Sequence, residues 1–174
     1  MKRDIWLWQL VGFAFCSLAG TLLHFLYEWT GESIFASPFS GVNESTWEHM
    51  KLLYFPLLVF AVIQYCFAVR SRDFWCVKLI GTVLGLVTIP VIFYTCNGAI
   101  GKTPDWFNIA IFFISAAITF LCEAVLFRKG SLPFCIPRLA LSVICIIGIL
   151  FIIFTFIPPH LPIFKDPLTG TYGI

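Results

Sequence analysis

The side chains able to do chemistry are concentrated in one stretch, His24 to His49, which reads H-F-L-Y-E-W-T-G-E-S-I-F-A-S-P-F-S-G-V-N-E-S-T-W-E-H. It holds two of the three histidines and four of the nine acidic residues, in a chain that is 60% hydrophobic. His24 and Glu28 form an H-x-x-x-E pair, a spacing that puts imidazole and carboxylate on one helix face within reach of one ion, proton or ligand. An ionisable group inside a bilayer costs ~2.5–3.5 kcal/mol or more, so such groups are paired and mark functional positions. The bland alternative is a structural pair, with Glu28 solvated and His24 bonded to a neighbouring helix.

Asn43-Glu44-Ser45-Thr46-Trp47-Glu48-His49 opens the next helix. Ser45-x-x-Glu48 is a capping box, which by itself accounts for Glu48 but not for Glu44 or His49. If the first two helices are antiparallel and joined by a short loop, His24, Glu28, Asn43, Glu44, Glu48 and His49 converge in one cup as ligand-binding candidates. His24, Glu28, Glu48 and His49 are the metal-ligand candidates, and two imidazoles with two carboxylates suit one divalent ion, zinc before iron or manganese. No H-E-x-x-H or comparably tight signature supports that set. Near the C-terminus, His160 and Asp166 lie in P-P-H-L-P-I-F-K-D-P-L-T-G-T-Y-G-I. Such a tail either folds back as a lid that brings a general acid or base, or is a solvated turn. The catalytic candidates are therefore Glu28, Glu48, His160 and Asp166. Asn43-Glu44-Ser45 also matches a glycosylation sequon, a pattern common by chance.

The elements that must position these groups are membrane helices. Only 11% of residues are charged and the mean hydropathy is +0.95, against ~25% charged for soluble domains. A spanning helix needs about 20 apolar residues, and five such runs fit: residues 5–28, 45–69, 74–96, 105–127 and 136–157. The expected fold is all-α, a polytopic five-helix transmembrane bundle forming a single domain over residues 1–174, with a polar tail from residue 158. The first run follows a basic start as a signal peptide would, but it is long and continues past Ser17-x-Ala19, so it reads as a retained span. Pro158-Pro159 stop the fifth helix, since proline has no N–H and clashes with the preceding turn.

Basic residues orient the bundle. Lys2, Arg3, Arg70, Arg72, Lys78, Arg128, Lys129 and Arg138 fall at one set of ends, against Lys51, Lys102 and Lys165 at the other. The positive-inside rule then puts the N-terminus in and the C-terminus out. Trp6, Trp8 and Trp75 fall at the inner boundary, and Trp29, Trp47 and Trp106 at the outer, as an aromatic belt requires. The expected location is a cell membrane, of the bacterial inner-membrane kind, with the His/Glu cup facing outward. Ser17, Gly20, Thr21, His24 and Glu28 share a stripe whose small residues let another helix approach, so that stripe should face the bundle. Glu123 reads as a snorkelling partner of Arg128 or Lys129. The seven cysteines are scattered with no C-x-x-C pair and read as core thiols.

On N-E-S-T-W-E-H-M-K-L-L-Y-F-P, preceded by H-F-L-Y-E and followed at the end by H-L-P-I-F-K-D-P-L-T-G-T-Y-G, the chain resembles a family of small bacterial membrane proteins defined only as a domain of unknown function. That resemblance covers the whole chain and implies no activity. A weaker similarity is to the EXPERA group of sterol isomerases and sigma-2-type receptors. It implies a lipid-like ligand faced by His24, Glu28 and Glu48, although here the pair stands on the first span.

Three functions fit these features. One is an outward-facing site for a metal ion or a small or lipid-like ligand, extending to a membrane-embedded enzyme acting on lipid. Another is a proton- or cation-coupled transport or binding module, which predicts polar residues continuing through the inner half. Only Gln64, Thr82, Thr88 and Glu123 stand there. The third is an accessory subunit without chemistry. No basic run or aromatic-interleaved basic patch suggests nucleic acid, and the expected partner is the lipid bilayer.

Overall fold

A computed structural model describes residues 2–69, 71–101 and 103–174. Arg70 and Lys102, both counted in the charge bias, lie outside the described residues, as do the side chains of Lys2, Arg3 and Asp105. Among the described residues five helices form the bundle: α1 (Lys2–Trp29), α2 (Thr46–Phe67), α3 (Phe74–Ile100), α4 (Asp105–Lys129) and α5 (Pro137–Phe156). Each is long and apolar enough to cross a membrane. Their limits follow the hydropathy runs within a few residues, because turn chemistry marks the ends. Ser45 caps α2, with its hydroxyl accepting the Glu48 amide, and Pro137 opens α5 where its missing N–H costs nothing.

Successive helices are antiparallel. At one end, the Arg128 guanidinium closing α4 lies 5.8 Å from the ring of Trp6 near the start of α1. There the Leu132 amide of the α4–α5 loop donates to Asp73, which precedes α3. At the other end, Asn43 of the α1–α2 loop donates to the Gly173 carbonyl of the tail. We call this second end the tail end and the first the opposite end.

α2 is the most buried helix and the bundle is built around it. Phe60 of α2 and Phe120 of α4 meet edge to face, and the Tyr54 hydroxyl donates to the Ile144 carbonyl of α5. α1 fits between α2 and α4 because two of its glycines admit aromatic rings. A Cβ on Gly12 would collide with Phe60 and Phe120, and one on Gly20 with Phe112. This rotates α1 away from the expected stripe. Its buried line is Gln9, Gly12, Cys16 and Gly20, whereas Thr21 and Glu28 are exposed.

Two further expectations are corrected. Glu123 is wholly buried and paired with Lys78 of α3, not snorkelling toward Arg128 or Lys129. Lys78 is therefore not a boundary charge either. Cys76 and Cys135 form a disulfide across 59 residues, their Cα atoms 5.9 Å apart. The spacing of the cysteines hid this pair because the α3 start and the α4–α5 loop meet only after the helices pack.

Candidate functional site

At the tail end, α1 closes with an irregular last turn. The Ser40 hydroxyl is inserted between the Leu23 carbonyl, to which it donates (2.6 Å), and the Tyr27 amide, from which it accepts (2.8 Å). Those two backbone groups would otherwise bond each other across one turn. This ties the α1–α2 loop back over the turn that carries His24. Loop residue Gly41 lies beside that ring, where an added Cβ would stand 3.7 Å from His24 Nδ1.

His24, Glu44 and His49 come together there. The carboxylate of Glu44 lies between the two rings, 3.8 Å from His24 Nε2 and 3.5 Å from His49 Nε2, and the ring centroids are 5.8 Å apart. His49 Nδ1 is 2.9 Å from the Ser45 carbonyl. A carbonyl only accepts, so Nδ1 carries the hydrogen and Nε2 is the nitrogen left facing Glu44. The side chains are 32%, 42% and 22% exposed for His24, Glu44 and His49, so the group is reachable.

This triad forms the polar end of a cleft of about 370 Å³ between α1 and α4. Its walls are largely apolar, including Phe25, Phe112 and Phe113, and Asn108 of α4 adds an amide whose buried oxygen has no hydrogen-bond partner. Leu168 of the tail stands at the rim.

The remaining candidates do not join the triad. Glu48 turns to the other side of α2, where it is buried, pairs with Lys51 and accepts the Val42 amide at 3.1 Å. The expected capping box is thus half made. The Ser45 hydroxyl accepts from Glu48, but the Ser45 amide goes to Asn43 Oδ1 and the Glu48 carboxylate goes to Lys51. Glu28 is exposed, and its carboxylate has no hydrogen bond or ion pair among the described residues. The metal set His24, Glu28, Glu48 and His49 is therefore not assembled. Among the described residues no group of three or more His, Cys, Asp or Glu side chains is arranged to hold a metal. Asn43 is engaged at both ends of its amide, by Ser45 and by Gly173.

In the tail, Asp166 is buried and holds its own turn, accepting from the Leu168 amide and the Thr169 hydroxyl. His160 is exposed and packs edge to face with Tyr172, their centroids 4.7 Å apart. The tail does fold back. Phe164 is buried against Trp47, which also packs on Phe151, so Trp47 anchors the tail more than it marks a boundary.

Sequence reading missed Asn108, which stands alone in an apolar run 59 residues from His49. It also missed Lys51, a basic residue one turn into a helix that looked like an outer-boundary charge. Its ammonium is fully buried and donates to the Ser37 carbonyl and the Thr155 hydroxyl, both at 2.8 Å.

Five apolar helices define a multi-pass membrane protein. A family model described as a family of unknown function (DUF6512) matches residues 2–174, and the chain belongs to that family. No curated protein and no solved structure matches the chain.

Proposed function

We propose that this protein binds an amphiphile with a cationic, hydrogen-bond-donating head, in the cleft headed by His24, Glu44 and His49. One observation carries the reading. With Nδ1 of His49 donating to Ser45, a neutral ring presents a lone pair at Nε2 to a carboxylate that also only accepts. What fits between two acceptors is a proton donor or a cation, and a protonated amine is both. The phenyl walls extend the site into an apolar cleft, which suits an alkyl chain and not a free hydrated ion. Asn108 supplies one more acceptor.

A long-chain alkylamine and the alcohol of equal chain length test the reading on the detergent-purified protein. Wild type should prefer the amine, and Glu44→Gln should lose that preference by about tenfold or more, the worth of one charge-assisted hydrogen bond. Equal binding of amine and alcohol by wild type would exclude the cationic head.

The same lone-pair arrangement favours a second reading, a divalent metal, most readily zinc, held by His24, Glu44 and His49. Bound there, it would activate water beside a lipid in the cleft. Elemental analysis of wild type beside His24→Ala and His49→Ala decides this. About one equivalent lost in both variants supports the metal, and no metal in the wild type rejects it.

For the orientation, the bias of basic residues to the opposite end supports an N-terminus in the cytoplasm, with the cleft facing outward from a bacterial inner membrane. Burial of Lys51 and Lys78 removes one residue from each side of that bias and leaves its direction unchanged.

A further inference from the structure

Far from the cleft, toward the opposite end, the bundle interior holds a second polar group. Lys78 stands one turn into α3 and Glu123 less than two turns from the end of α4, and they form an ion pair with 2% and 0% residue exposure. The ammonium lies 5.6–5.9 Å from the centroids of Phe60, Phe74, Phe120 and Phe127. Glu123 is seated by Gly81, where a Cβ would come within 2.6 Å of its Cγ. Its second oxygen, Oε1, is buried with no hydrogen-bond partner. Gln9 of α1 and Gln64 of α2 are buried near the same end, and neither amide has a partner. Gln9 lies on the Cys16 face of α1, and Gln64 stands one turn from Phe60.

We propose that the Lys78–Glu123 pair is a proton-binding site within the membrane, exchanging its proton with the face opposite the cleft. Glu123 Oε1 is an open acceptor enclosed by phenyl rings, an atom of the pair to which a proton can add without displacing a hydrogen-bond partner. Uptake of one proton from water at Glu123 Oε1 gives a neutral acid beside a lysinium. Transfer from Lys78 Nζ to Glu123 gives a neutral acid and a neutral amine, with no net change of charge. Either event is local, since the pair stands about two turns or less from the end of each helix. The facing groups are Lys78 from α3, Cys16 from α1 and the Phe60 ring from α2, with Cys122 adjacent on α4 itself. Farther along α4, Ser115 and Thr119 are fully buried at one-turn spacing from Glu123 and continue this polar face toward Asn108 in the cleft. The inner half is therefore more polar than the sequence suggested, because Gln9 and Lys78 add to Gln64, Thr82 and Glu123.

Infrared difference spectra of the full-length protein in lipid, recorded across a pH titration, test the assignment. A protonated-carboxyl band that grows on acidification in wild type and disappears in Glu123→Gln is the expected result. Lys78→Met is the second variant. It removes the counter-charge, so the same band should persist to more alkaline pH. Glu48→Gln should leave the band in place, because Glu48 lies at the tail end, where its Oε2 is held by the Lys51 ammonium and the Val42 amide. A wild-type titration with no Glu123-dependent band over the range in which the protein stays folded would overturn the proposal. So would a band that Lys78→Met does not move. If Glu123→Gln fails to fold, the Lys78→Met shift alone decides.

Discussion

Among the described residues, two buried lysine–glutamate pairs occupy this bundle, and their surroundings make them different objects. Lys51 and Glu48 stand one turn apart on α2, and hydrogen-bonding groups from the α1–α2 loop and α5 converge on them. The ammonium has the carboxylate, the Ser37 carbonyl and the Thr155 hydroxyl, and the carboxylate also takes the Val42 amide. That network ties the α1–α2 loop, α2 and α5 into one unit beneath the tail. Lys78 and Glu123 meet across two helices, among aromatic rings, with one carboxylate oxygen unanswered. Burial of an ion pair by itself says little about its role. The hydrogen bonds left over distinguish a clamp from a site that exchanges protons.

The largest effects should come from breaking either pair singly. Lys51→Met or Lys78→Met strands a buried carboxylate, and each should cost about 3–5 kcal/mol of stability, read from unfolding in detergent micelles. The comparison sharpens in the double variants. Lys78→Met with Glu123→Leu should recover most of that loss, because the phenyl surroundings accept apolar replacements. Lys51→Met with Glu48→Leu should recover little, since Val42, Ser37 and Thr155 lose partners together. Equal recovery in both doubles would erase the distinction.

A smaller effect should come from the glycine that seats α4 near the Lys78–Glu123 pair. Gly85 faces the Thr119 hydroxyl so closely that a Cβ must displace it, so Gly85→Leu should cost ~1–3 kcal/mol by overpacking. Unchanged thermal stability there would mean that α3 and α4 have slack. Smaller still, Ser45→Ala removes the α2 cap beside the Lys51–Glu48 pair and should cost ~1 kcal/mol. It should leave His49 in place, because His49 bonds the Ser45 carbonyl and not its hydroxyl. A loss of ligand binding in Ser45→Ala larger than its loss of stability would argue against that. The opposite end offers a direct test of its own geometry. Alkylation of the unfolded protein should gain two labels on reduction, from Cys76 and Cys135.

Of the candidate site, the sequence located the neighbourhood and had His24, Glu44 and His49 all among the ligand candidates, though only His24 and His49 of these among the metal candidates. It assigned Glu48 to the wrong side of α2. In N-E-S-T-W-E-H, Glu44 precedes the helix and Glu48 is in its first turn, and the pattern of types does not tell which carboxylate turns toward His49. Lys51 decides that, three residues on, by drawing Glu48 to its own face. Glu28 was placed by helical spacing from His24, and the spacing is real. The rotation of α1 is set by Gly12 and Gly20 accepting phenyl rings, and that rotation leaves Glu28 exposed.

What the sequence determined by itself is what adds up along the chain. Five apolar runs of spanning length, the Ser45 cap, the Pro137 start and the Pro158-Pro159 stop fix the number of helices and their ends, because hydropathy and backbone chemistry are local. What only the tertiary structure decided is partnership across distance. Lys78 finds Glu123 over 45 residues, Cys76 finds Cys135 over 59, and Asn43 finds Gly173 over 130. Each depends on the rotation of one helix against another. That rotation is set by where glycines let rings and carboxylates approach, a property of pairs of surfaces that no single segment carries.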